Sequence, residues 1–270
     1  MTSNSTPTPG AGVANLTNLF GRATQFGTLS TASSSMLTGN LGSVVVAGAA
    51  GMDGEDIEAS DVTLFTVLLD MSSSIAYGGL EDAVRRGQNE LVDALMAAKN
   101  GDDILLAQWT FHHEQNVLHA YVPLDDATRL DANNYNGTGT THLYDTWCDA
   151  LAANVAYAQQ LRDGGTPCRS VVVVITDGCD VGSVRSAKNC KDLSKDLLAS
   201  EQFVLAFVGV GDDADFKRVA KDMGVPNDCV LVEKNATAAG MRKVFQMVSQ
   251  SAIKVSQGSI QPGAQAGFFS

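Results

Sequence analysis

Apolar residues along this chain follow two different periods. From residue 62 onward, short apolar runs alternate with stretches in which apolar side chains recur every three or four positions. The first pattern belongs to strands and the second to amphipathic helices. The runs at 62–69, 104–111, 117–122, 171–175, 203–209 and 229–233 predict six strands. Helical spacing predicts a helix over 79–99, with Leu80, Val84, Leu91, Leu95 and Ala98 on one face. A second begins at 143, with Leu143, Trp147, Leu151, Val155 and Ala158 in one stripe. Others are expected over 184–200, over 213–223 with Gly224 as its stop, and over 236–251 with Met241, Val244, Phe245 and Val248 inward.

The unbroken β-branched run Val171-Val172-Val173-Val174-Ile175 reads as a strand buried on both faces. Only a short polar break, 112–116, separates the strands at 104–111 and 117–122. They are therefore expected to be antiparallel neighbours, and Pro123 places the second at a sheet edge. Regular strand–helix alternation predicts the α/β class: a doubly wound, mostly parallel, Rossmann-like six-stranded sheet with one antiparallel edge strand and helices on both faces.

The flanks look different. Residues 1–43 are rich in Ser, Thr, Asn, Gly and Ala, which predicts a flexible arm. The acids Asp53, Glu55, Asp56, Glu58 and Asp61 then read as a solvated linker; a calcium loop would need glycine where Glu58 stands. The expected division is a low-complexity arm and linker at 1–61, one domain at 62–251, and a low-complexity tail at 252–270. That tail ends in Phe268-Phe269, a candidate docking peptide. The first 20 residues lack the basic and apolar regions of a secretory signal. The small apolar run at 44–50 is far shorter than the about 20 residues that span a bilayer. A cytoplasmic protein without a membrane span is expected.

Eighteen basic against thirty acidic residues give a net charge of −12, so the chain has no basic footprint for nucleic acid. Its five cysteines, Cys148, Cys168, Cys179, Cys190 and Cys229, include no C-x-x-C pair. An odd count of this kind predicts free thiols, not a disulfide framework or a thiolate zinc site.

In open α/β sheets ligands bind beyond the C-terminal ends of strands, where strand order reverses. After the first strand stands Asp70-x-Ser72-x-Ser74, and after the valine-rich strand Thr176-Asp177-Gly178. The long polar loop 125–141 ends in Gly139-Thr140-Thr141, just before the second helix, and loops of that length are usually functional. Together these supply two carboxylates and three hydroxyls, the oxygen donors that a hard cation such as Mg2+ prefers.

These parts, in this order, resemble the von Willebrand factor type A domain with its metal-ion-dependent adhesion site: Asp-x-Ser-x-Ser, a distant Thr and a distant Asp. The resemblance covers about 62–251. It implies that the hydroxyls of Ser72, Ser74 and Thr141 bind the metal directly. Asp70 and Asp177 act through water or as hydrogen-bond acceptors, and an Asp or Glu of a partner protein completes the shell. The implied metal is Mg2+, with Mn2+ and Ca2+ as alternatives. Two details depart from the family pattern. Ser73 stands where members often have Gly, and Thr140 adjoins Thr141, which its spacing to Leu143 favours as the ligand. Intracellular bacterial relatives often act with a MoxR-type AAA+ ATPase or in stress-response and tellurite-resistance systems, which implies an adaptor.

Competing chemistry finds less support. Ser72 stands where an aspartyl phosphohydrolase would need its second acid. There is no Gly-x-x-x-x-Gly-Lys loop and no Gly-x-Ser-x-Gly elbow, and Gly209-Val210-Gly211 lacks the third glycine of a dinucleotide loop. His112, His113 and His119 are expected together on the edge hairpin as surface residues, with His142 at the site's rim or in solvent. The expected protein is therefore not an enzyme but a metal-dependent protein-interaction module. The second reading is a structural subunit that self-assembles through its terminal arms, and the third a metal-dependent phosphohydrolase.

Overall fold

The computed structural model describes residues 9–212 and 214–270. Six strands form one sheet: β1 (Val62–Asp70), β2 (Ile104–Phe111), β3 (Gln115–Pro123), β4 (Cys168–Thr176), β5 (Phe203–Val210) and β6 (Val230–Glu233). Their spatial order is β3-β2-β1-β4-β5-β6, parallel except for the β2–β3 pair at one edge. The chain builds outward from β1 to one side, then returns to the other side of β1 with β4. The reversal therefore lies between β1 and β4. Pairing of Leu69 with Ile175 brings Asp70 level with Thr176 at that point. The interior strands β1, β2 and β5 are buried along their whole length, as the unbroken apolar runs require.

Three N-terminal helices precede the sheet: α1 (Pro9–Gln25), α2 (Thr31–Thr38) and α3 (Ser43–Gly48). After β1 come α4 (Ser73–Tyr77) and α5 (Glu81–Met96), then α6 (Leu143–Asp163), α7 (Ala187–Ala199), α8 (Phe216–Asp222) and α9 (Ala238–Ser256). Helix α5 packs against α9, while α6 packs against α7 and against the N-terminal helices. The helix expected from 79 starts at Glu81, because Gly79 adopts φ +64 and separates α4 from α5. Asp213, placed at the start of the expected fourth helix, lies outside the described residues; α8 itself begins at Phe216, capped by the Asp215 side chain.

Both flanks differ from expectation. Residues 1–8 of the expected arm lie outside the described residues, but α1 runs from Pro9 and packs on the core from Leu16, so this part is not a free arm. Leu16, Leu19, Phe20 and Ala23 are spaced three or four apart on α1 and are buried, in the same core as the sheet. A side chain at Gly48 would overlap the Trp109 ring and crowd Ala153, so glycine there lets α3 lie directly on α6. As a consequence α6 is buried on all sides from 145 to 159, rather than along one stripe. The expected tail is likewise packed. Helix α9 continues five residues past 251, Gly263 donates to the Phe203 carbonyl at 2.8 Å, and Phe268 is completely buried.

All five cysteines are free, and the Cys148 and Cys190 sulfurs approach to 3.7 Å between α6 and α7. No helix among the described residues is long and apolar enough to cross a membrane.

Because α1 and the C-terminal segment contribute to the core, Phe20→Ala and Phe268→Ala are each expected to lower unfolding stability by about 3–5 kcal/mol, as measured by chemical denaturation. A free arm or tail would give no change.

Candidate metal centre

The loop after β1 is shaped by Asp70. This carboxylate is buried; Oδ1 accepts the Ser72 amide at 2.8 Å, and Oδ2 accepts the Thr176 hydroxyl at 2.5 Å. The first bond turns the chain sharply at the strand end, as Asp side chains commonly do. The second crosses from β1 to β4. The Gly178 amide in turn donates to the Thr176 hydroxyl at 3.1 Å. Thr176 is not one of the five candidate oxygen donors; as the last residue of β4, directly before Asp177, it is set level with Asp70 by the strand pairing.

Ser72 is the N-cap of α4, yet its hydroxyl makes no capping bond. It lies 3.0 Å from the Ser74 hydroxyl, which donates to Asp177 Oδ1 at 2.8 Å. An N-cap serine usually bonds an amide of the first turn; here the hydroxyl is turned toward the other oxygens instead. Ser73 opens α4, and its amide donates to the Gly139 carbonyl at 3.1 Å.

The polar loop before α6 runs along one face of α5. Gln88 and Asn89 hold the main chain of Leu130, and Glu81 accepts the Gly137 amide at 2.6 Å. The loop then pairs with the β1 loop through the Thr138 amide and the Met71 carbonyl at 2.8 Å. A Cβ at Gly137 would stand 2.9 Å from both the Ala76 methyl and the Ser72 carbonyl, so the approach needs glycine. Thr141 is buried, with its hydroxyl close to Gly178, whereas Thr140 is exposed.

The segment carrying Asp177 is fastened to the start of α6. The Thr141 carbonyl accepts the Val181 amide at 2.7 Å. The Asp145 carboxylate accepts the amides of Val184 and Arg185 at 2.8 and 2.9 Å, and the Arg185 guanidinium pairs with Asp149 at 2.8 Å. With those amides engaged, α7 starts at Ala187, behind a Ser186–Asn189 capping box, and not at 184. Asp145 and Arg185 are also invisible to a sequence reading, since neither belongs to a motif. His112 and His113 stack with ring centroids 4.3 Å apart, and the His142 amide bonds the His112 carbonyl. His119 is not with them; its ring pairs with Gln108 at 2.8 Å.

Solved structures of known proteins share this architecture. SpaC, a pilus adhesin from Lactobacillus rhamnosus GG, aligns in its open conformation with a TM-score of 0.54 and 13% identity, over 73% of this chain and 30% of that one. A mutant of the PilB minor pilin from Streptococcus sanguinis aligns with a TM-score of 0.54 and 12% identity, over 76% and 64%. Proximal thread matrix protein 1 from the mussel byssus, with a zinc-occupied MIDAS motif, aligns with a TM-score of 0.50 and 19% identity, over 73% and 47%. This is a von Willebrand factor type A-like fold. At these identities the likeness is one of fold, and this chain spans less than two thirds of each of the three. No protein-family model and no curated protein matches the sequence.

Within this fold, hydrogen bonds link Asp70 to Ser72 and join Ser72, Ser74 and Asp177 at the reversal between β1 and β4, and the Thr141 hydroxyl lies close to Gly178, next to Asp177. No group of three or more His, Cys, Asp and Glu side chains among the described residues could hold a metal. The type A arrangement is of another kind, two carboxylates among three hydroxyls. Burial raises the Asp70 carboxyl to about 6, against the lowering effect of its bonds from Thr176 and Ser72, and the nearby Asp177 charge adds to the rise. The groups acting most strongly on Asp70 include no basic side chain.

In metal-free protein Asp70 binds its proton more tightly when folded than when unfolded. Its contribution to stability is therefore fully present below about pH 3.8 and is lost as the pH rises through about 6. Asp70→Asn, which removes the charge, is expected to melt higher than wild type at pH 7.5 in chelator, by up to the order of 3 kcal/mol. The advantage should shrink as the pH falls toward 4. Thermal melts across that range, with and without Mg2+, check this.

Proposed function

We propose that this chain is a metal-dependent protein-binding module. In this reading Ser72, Ser74 and Thr141 hold Mg2+ through their hydroxyls, Asp70 and Asp177 hold it through water or hydrogen bonds, and a partner's Asp or Glu completes the shell. The observation that carries the reading is the spacing of the oxygens. Octahedral Mg2+ with bonds of about 2.1 Å sets neighbouring oxygens about 3.0 Å apart. Ser72 Oγ and Ser74 Oγ, both direct ligands in this reading, are 3.0 Å apart, and Asp177 Oδ1 accepts the Ser74 hydroxyl at 2.8 Å, as an acceptor outside the shell would. The donors are all oxygen, as a hard cation prefers. A bound cation would also relieve the repulsion between buried Asp70 and the partly exposed Asp177.

The surroundings suit binding better than turnover. The cavity behind Asp70 measures only about 10 Å³, roughly the room for one water. Exposed apolar side chains stand on the segments that carry the site. Tyr77 at the end of α4 is 90% exposed, and Val184, beside the start of α6, is 92% exposed. Val181, whose amide bonds Thr141, is 54% exposed. Such side chains are the kind that a partner covers on docking. Assembly through free terminal arms draws no support from this fold, since the described parts of both termini pack on their own core.

Affinity capture in Mg2+ and in chelator tests the reading. A partner retained only in Mg2+ should be lost with Thr141→Ala and Asp177→Ala; a MoxR-type AAA+ ATPase is the partner class the family resemblance points to. Tyr77→Ala should weaken that partner about tenfold while leaving Mg2+ affinity unchanged by calorimetry. An identical bound set in Mg2+ and in chelator contradicts the proposal.

A further inference from the structure

Tyr135 lies in the middle of the polar loop that ends at Thr141, yet it is completely buried. Its hydroxyl donates to the main-chain carbonyl of Asp70, the residue at which β1 turns into the metal loop. Its ring lies beneath that turn, lining the small cavity with Ile75 and Met241. Its own carbonyl is gripped from α5, where Arg85 donates from Nε at 3.0 Å and from Nη2 at 2.7 Å. A continuous linkage therefore runs from Arg85 through Tyr135 to the peptide of Asp70. Packing alone would be met by phenylalanine. A buried hydroxyl is costly unless it is bonded, and this one has its bond in the metal loop itself.

We propose that Tyr135 is a positioning residue for the metal centre. Through one hydroxyl it couples the Asp70–Ser74 turn to the loop that presents Thr141, six residues further along. Neither Tyr135 nor Arg85 belongs to the Asp-x-Ser-x-Ser, Thr, Asp set. The inference rests on the metal-binding reading above, and calorimetry separates the two: absence of Mg2+ binding by the wild-type protein would remove that reading itself.

The test uses the full chain with Tyr135→Phe, which keeps the buried ring and deletes the hydroxyl. Residues that orient metal ligands without touching the metal commonly contribute about 10- to 100-fold to affinity, so the Mg2+ Kd should rise by about tenfold or more. In metal-free protein, amide hydrogen exchange over 137–141 should accelerate, a change that lost core packing elsewhere would not confine to this loop. Arg85→Lys keeps the charge on α5 but cannot grip the Tyr135 carbonyl with two donors, and should weaken Mg2+ in the same direction by a smaller factor. It also carries the test should Tyr135→Phe fail to fold. The assignment is overturned if wild type binds Mg2+ and the folded variants bind it within about twofold of wild type, or if loop exchange in folded Tyr135→Phe is unchanged.

Discussion

A carboxylate at the end of a strand buried on both faces loses most of its solvation, and β1 ends in such a group. Asp70 recovers part of that loss from the Ser72 amide and the Thr176 hydroxyl, but its carboxyl still stands at about 6. The bonds that compensate it also shape the site. One folds the chain so that Ser72 and Ser74 face the same side, and the other ties β1 to β4 where the strand order reverses. A second carboxylate, Asp177, arrives at the same place because it follows the paired end of β4. The fold thus concentrates negative charge among hydroxyls at one point, which suits a cation and makes the site costly without one.

Holding that point together falls to side chains that carry no metal chemistry. The long loop before α6 has no regular structure of its own, so its backbone polar groups need partners from outside. Glu81, Gln88 and Asn89 on α5 provide them, at positions that share one helical face. On the far side, Asp145 and Arg185 fasten the Asp177 segment to the start of α6. Thr141 lies between the two fastenings, so neither neighbour can move without disturbing it. Tyr135 joins the first of them to Asp70.

The strands and helices of the central domain are legible in the sequence because each rests on a local period, and the displaced boundaries have local causes. Helix α5 begins late at a glycine with positive φ, and α7 begins late because a carboxylate from another helix takes its first amides. The N-terminal helices escape a composition-based reading for a different reason. Ser, Gly and Ala signal flexibility when nothing is packed on them, but they are also what allows helices to approach closely. Ala153 on α6 is the matching half of that contact, and its meaning shows only beside Gly48. The spacing of Leu16, Leu19, Phe20 and Ala23 is a helical signal in plain view.

By itself, then, the sequence determined the α/β class, the strand–helix order and the identity of five oxygen-bearing residues, since these follow from periodicity and from chemistry carried by single side chains. The tertiary structure decided which of them meet. The pairing of β1 with β4 sets Asp70 beside Thr176, the Thr141 loop reaches its place along α5, and the N-terminal helices and the 252–270 segment join the core. Those outcomes depend on hydrogen bonds and close contacts between residues tens of positions apart, and a local pattern such as the α1 spacing records at most the helix, not what it packs against.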